Sequence, residues 1–228
     1  MNKSLIALVG CCIALLCACS GDKYEYPSVK LELITIEAGS DGTLQTFVTD
    51  DGERLNVVED KSQTVIEPHT RMRVLSNYAS VNSGMKSGEG VIYAVGSIIT
   101  GIPVSLSGIE GGMKTDPVTL QSIWMGEDYL NLVIWVKSQS GSHYFRFIED
   151  EVVTDEQGVT VDLSLYHDAA GDMEAYNKKA YISIPLRQYA EDAEGEIKIC
   201  FTLHTYDGPE TYCFDYIPSA LYGEPVSF

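Results

Sequence analysis

The chain is poor in basic residues, in cysteine beyond its first nineteen positions, and in long apolar runs anywhere but its start. Fifteen lysines and arginines face 33 aspartates and glutamates, a formal charge of −18. So acidic a balance argues against nucleic acid and against peripheral docking on anionic lipid, because both need basic surface. It suits solubility in a crowded compartment. Four of the six cysteines are Cys11, Cys12, Cys17 and Cys19, so Cys200 and Cys213 are all that remain downstream. After the first nineteen residues no segment approaches the ~20 apolar residues of a spanning helix. Gly-x-Ser-x-Gly and His-Glu-x-x-His are missing too, which removes the usual signatures of a hydrolase elbow and a zinc protease helix. The stretch 84–90 holds Lys86 among its glycines, but it lacks the Gly-Lys-Ser/Thr ending of a phosphate loop.

The N-terminus carries the strongest positive signal. Lys3 gives a charged start, residues 5–17 are almost wholly apolar, and Leu16-Cys17-Ala18-Cys19 reads as a lipoprotein cleavage box. An ordinary secretory signal fits less well, because Cys19 stands where a lipobox needs it and Ser20-Gly21-Asp22-Lys23 follows as a polar stretch. The apolar run is too short for a transmembrane anchor. The expectation is a mature chain that starts at acylated Cys19 and is held at a bacterial membrane outside the cytoplasm. A lipoprotein cysteine carries at least two chains, enough for stable anchoring. The outer membrane is favoured, with the periplasmic or outward face left open. Removing residues 1–18, which hold Lys3 and no acidic residue, leaves 14 basic against 33 acidic side chains, a charge of −19.

Helical periodicity is absent along the rest. What recurs is short apolar alternation bounded by Gly, Pro, Asn and Asp, the pattern of an all-β protein. In the first half the pattern predicts strands at 29–36, 43–49, 54–58 and 71–78, then a pair within 91–107. Asp50-Asp51-Gly52 is a hairpin signal, since Asp and Gly accept tight-turn conformations. Five or six strands in so short a span predict a small OB-like barrel over residues 29–112, after a tether at 19–28. The second half predicts seven strands, at 118–125, 129–137, 143–150, 159–166, 179–186, 196–205 and 210–217. That number suits an immunoglobulin-like β-sandwich over 113–220, with a tail at 221–228. Ile197, Ile199, Phe201 and Leu203 share one face. Residues 129–136 are apolar on nearly both faces, which predicts a central strand with Trp135 in or against the core. Gly111-Gly112 and Asp116-Pro117 mark the expected join.

The order of parts resembles the NigD-like lipoproteins. After the lipobox come Asp-Gly-x-x-Leu at 51–55 and Arg71 and Arg73 ahead of Tyr78. Then follow Trp124-Met-Gly-x-x-Tyr-Leu-Asn-Leu-Val-Ile, Ser142-His143-Tyr144-Phe145 and Leu165-Tyr-His-Asp-Ala-Ala-Gly-Asp172. The resemblance covers nearly the whole mature chain. It implies an N-terminal OB-like domain, a C-terminal β-sandwich and a role in bacteriocin immunity, and it brings no catalytic or ligand residues.

Candidate chemistry is sparse. His167, Asp168 and Asp172 have the side chains of a metal or acid–base cluster, but a Gly- and Ala-rich inter-strand loop explains them more simply. Glu149, Asp150, Glu151, Asp155 and Glu156 lack calcium-loop spacing and read as a solvated hairpin tip. His69, His143, His167 and His204 are scattered among strands. No catalytic residue, cofactor or metal ligand is assigned. Cys200 and Cys213 project from the same side of a predicted hairpin that turns at Asp207-Gly208, and two exposed thiols outside the cytoplasm favour a disulfide. A two-residue turn at that place sets them one pair out of register, so a longer turn or a bulge is required. The expected function is non-enzymatic: an envelope binding or accessory lipoprotein with a protein partner, encoded nearby, and no nucleic acid. The alternative is an envelope hydrolase acting on carbohydrate or peptide.

Overall fold

The computed structural model describes residues 28–81, 88–191, 193 and 195–219. The signal peptide, Cys19, Lys86 and the tail at 221–228 lie outside them. Within them the protein is all β: a closed barrel followed by a two-sheet sandwich.

The barrel is built from β1 (Lys30–Ala38), β2 (Leu44–Thr49), β3 (Arg54–Asp60), β4 (Arg71–Ser80) and β5 (Glu89–Gly96). They close in the order β1-β2-β3-β5-β4, with β4 pairing back onto β1 and β3 running parallel to β5. This is the OB-type arrangement. Ile34 and Ile36 point inward with Phe47, Leu55, Val74, Tyr78 and Ile92, all essentially buried. Phe47 and Tyr78 meet edge to face at 5.0 Å. Gly90 makes room for them, since a Cβ there would sit 2.6 Å from the Phe47 ring.

The sandwich contains the seven expected strands: β8 (Thr119–Gly126), β9 (Tyr129–Ser138), β10 (Tyr144–Thr154), β11 (Gly158–Asp168), β12 (Tyr176–Pro185), β13 (Glu196–Thr205) and β14 (Gly208–Tyr216). Two short strands, β6 (Ile99–Thr100) and β7 (Val104–Ser105), join them. One sheet runs β14-β13-β11-β10-β7 and the other β6-β12-β9-β8. Between the sheets lie Leu130, Leu132 and Ile134 from β9, Val161 and Leu163 from β11, Ile182 and Ile184 from β12, and Ile199, Phe201 and Leu203 from β13. Burial of such apolar area, at about 25 cal/mol per Å², is the dominant stabilising term of the unit.

Three expectations are corrected. The pair expected within 91–107 does not complete the barrel. Both β6 and β7 pair in parallel with sandwich strands, β12 and β10. The chain therefore passes to the sandwich just after Gly96, ahead of Gly111-Gly112. Second, β9 is central, between β12 and β8, but Trp135 is not in the core. Alternation from Leu132 and Ile134 turns it outward, where it bonds Gln121 at 2.9 Å under the Lys179 ammonium. Third, the β13–β14 hairpin turns at Tyr206-Asp207, with Thr205 opposite Gly208. That register sets Cys200 directly against Cys213 with no bulge, and in the structure the two form a disulfide with Cα atoms 4.0 Å apart.

Candidate functional site

The barrel lies against the outer face of the four-stranded sheet, and a buried polar joint holds the two together. Arg73 projects outward from β4 with its side chain 3% exposed. Its Nε donates to Ser183 Oγ of β12 at 3.0 Å, and its other nitrogens donate to Asp50, to Thr35 and to Asn131 of β9. Asp50, on the β2–β3 turn, also accepts from Trp124 Nε1 at 2.9 Å and Asn131 Nδ2 at 3.1 Å. Ser183 Oγ completes the set by donating to Asn131 Oδ1 at 2.6 Å. The guanidinium lies 4.4 Å from the Tyr129 ring centroid. Burial pushes the Tyr129 phenol up.

A planar five-donor cation suits such a place. A buried charge is costly unless it is paired and its remaining donors are met. Here the partners come from three barrel and two sandwich positions, so full pairing exists only when the domains are docked. Gly126 is part of the fit: a Cβ there would lie 2.4 Å from Asp50 Cγ and 2.7 Å from Asn131 Nδ2.

Beside the joint the two layers diverge and leave an open cleft of about 340 Å³. Leu31, Leu33 and Leu75 line its barrel side, and Trp124, Met125 and Tyr181 its sandwich side. Its ionisable groups are Glu32, Asp50 and Asp51, all carboxylates.

A second polar cluster sits at the opposite end of the sandwich strands. His143, His167 and Asp172 converge there, although the sequence gives no sign that His143 joins the other two. Nδ1 of His167 faces the Asp116 carbonyl at 2.8 Å and so must donate to it. Burial lowers the pKa of His167, which favours its neutral ring. The Nε2 of that ring then accepts from His143 Nδ1 at 2.8 Å, and His143 Nε2 lies 3.4 Å from Asp172 Oδ2. Asp172 also accepts from Ser138 Oγ at 2.6 Å and from the backbone N–H groups of Gln139, Ser140 and Met173. The Ser138 hydroxyl foremost, with neighbouring backbone N–H groups, holds the Asp172 carboxyl well below the ordinary carboxylate range. The cluster borders a cleft of about 160 Å³ and pins the 169–175 segment onto the β9–β10 connection.

Other candidates keep local duties. Asp168 accepts from Ala170 N and shapes its own turn. Asp155 accepts from Gln157 N and Gly158 N at the β10–β11 tip, and Glu149 accepts from the Tyr189 hydroxyl at 2.6 Å. His69 lies in a barrel loop and His204 on β13, each apart from the histidine pair. Asp128, in the β8–β9 turn, clasps the C-terminal end of the sandwich. It accepts from the Tyr216 hydroxyl at 2.7 Å, Ser219 N at 2.9 Å and Arg187 at 3.0 Å.

The stretches that carry the family resemblance therefore map onto two places. Arg73, Trp124, Gly126, Tyr129 and Asn131 build the joint; His143, His167 and Asp172 build the distal cluster. The family model for the NigD-like C-terminal beta sandwich domain matches residues 102–216. A NigD-like immunity protein from Bacteroides caccae is 40% identical, with a TM-score of 0.72, over 86% of this chain and 100% of that one. The chain belongs to the NigD-like family. Two further solved structures share the fold at 18% identity. One, a protein of Parabacteroides distasonis described as toxin-related, has a TM-score of 0.68 over 83% of this chain and 93% of its own. The other, of unknown function from Bacteroides vulgatus, has a TM-score of 0.62 over 85% of this chain and 93% of its own. No curated protein matches the sequence.

Proposed function

We propose that this NigD-like chain is a non-enzymatic lipoprotein of the cell envelope that protects its host by binding a bacteriocin. It is anchored through acylated Cys19, with the outer membrane as its site. The observation that carries this reading is the 40% identity with a NigD-like immunity protein, over the whole of that protein. The geometry agrees with it. The convergent polar groups of the joint spend their hydrogen bonds on one another: the Ser183 hydroxyl donates to Asn131, and Asp50 takes Arg73, Trp124 and Asn131. At the distal cluster the Ser138 hydroxyl donates to Asp172 and accepts from Lys178. Such groups fix shape, as a binding scaffold needs.

Deleting the gene in its native host should sensitise the host to the bacteriocin made by its own gene cluster. Wild-type protein should restore survival, while Cys19→Ala, expressed to the same level, should not. A deletion strain as resistant as its parent would remove the protective role.

A further inference from the structure

We infer that the cleft between barrel and sandwich is a docking groove for a cationic peptide segment carrying apolar side chains. The inference deepens the reading of the chain as a binding protein and rests on it. Its first support is the lining. Leu31, Leu33 and Leu75 face Trp124, Met125 and Tyr181 across an open space of about 340 Å³. That falls within the ~300–1,000 Å³ range of sites that enclose a ligand group. Leu31 is 52% exposed at the rim, a large side chain left in water where two layers part.

The second support is preorganisation. The Trp124 indole is fixed by its bond to Asp50, and Asp50 is fixed by Arg73. The aromatic wall therefore stands in one orientation before a ligand arrives, which removes part of the ordering cost of binding. The third is charge complementarity. The ionisable side chains lining the cleft are Glu32, Asp50 and Asp51, and Arg73 is committed to Asp50. Glu32 accepts from the Tyr78 hydroxyl at 2.6 Å and lies 3.9 Å from Lys30 at the surface. Asp51 is exposed on the turn. An incoming lysine or arginine meets Glu32 and Asp51 at the rim while its apolar neighbour enters between the leucines and Trp124. The formal charge of −18 attracts such a segment from a distance.

The probe is a short synthetic peptide of alternating leucine and lysine, with a leucine–glutamate peptide as its counterpart. Each is titrated against the purified full-length chain by calorimetry at low and physiological salt. The leucine–lysine peptide should bind and the glutamate peptide should not. Leu31→Lys and Asp51→Lys, both at exposed positions, should each weaken binding at least about tenfold, or 1.4 kcal/mol. Val152→Lys, at an exposed site on the other sheet, should leave it unchanged. Equal binding by all the variants, or an equal loss in Val152→Lys, would assign the attraction to diffuse acidic surface and overturn the groove. So would no binding at all. In the host assay, protection kept by Leu31→Lys but lost on gene deletion would sink the groove alone. Site-specific peptide binding without any protection would sink the protective role alone.

Discussion

Arg73 illustrates how one side chain sets the architecture. Its guanidinium is buried, and its partners belong to both domains, so removing it leaves Asp50 buried beside groups that cannot replace the charge. Arg73→Met should cost about 3 kcal/mol, the lower end for breaking a buried pair, because Asp50 keeps some exposure. Arg73→Lys should recover only part of the loss, since a point charge cannot reach Asp50, Asn131 and Ser183 together. Urea unfolding midpoints measure both, and a change below about 0.5 kcal/mol, ordinary for a surface substitution, would deny the joint its role. Asp172 makes the corresponding prediction in pH. Its pKa in the folded state is depressed from the ordinary 3.8, so its stabilisation is present above that value and lost as pH falls further. His167 acts earlier. Its pKa is lowered from 6.5 by burial, so the unfolded chain binds the proton first and stability falls as pH drops below 6.5. Melting temperature followed from pH 7 downward should decline in these two stages, and Asp172→Asn should flatten the acid one. An unaltered acid limb in that variant would contradict the assignment. The sequence could not reveal these partnerships. Asp50 reads locally as a turn residue, yet its carboxylate meets Arg73 23 positions away and Asn131 81 positions away. His143 and His167 stand 24 apart, on strands whose pairing alone brings them together.

At the level of strands the sequence was far more legible. Alternating burial along β11 and β13 follows directly from the two-residue period, and the Gly, Asn and Asp punctuation located the turns. The errors have physical causes. β6 and β7 are two residues each and owe their existence to parallel pairing with strands some 40 to 80 positions further on, a tertiary effect with no local pattern. Trp135 was misplaced because β9 is apolar on both faces. Its inner face meets the sandwich core, while Asn131 and Val133 on the outer face are covered near the barrel and Trp135 is not. The final hairpin needed only a one-residue shift of its turn to bring Cys200 and Cys213 opposite. With 13 positions between them, the chain-entropy contribution of the disulfide is at most about 3 kcal/mol. Cys200→Ala/Cys213→Ala should lower stability by no more than that and should leave peptide binding at the distant cleft intact. Freshly isolated protein should carry no alkylatable thiol at these positions under denaturing conditions. Two free thiols there would remove the staple.

The whole molecule is a barrel laid on a sandwich, with an acidic surface and a cleft where the two meet. Motifs that the sequence presents as isolated signatures prove to be the parts of one joint and one latch. Their common effect is to hold loops and layers in fixed positions, which is the requirement of a binder that acts by stoichiometry. A hydrolase would act by turnover. The contrast yields the most direct test of the account: a fixed amount of the host's bacteriocin is titrated with the purified chain, while residual killing activity and bacteriocin mass are followed together. Binding predicts that activity falls in proportion to added protein, reaches zero near equivalence, and leaves the bacteriocin mass unchanged. Loss of activity at a small fraction of equivalence, with new bacteriocin fragments accumulating over time, would contradict it.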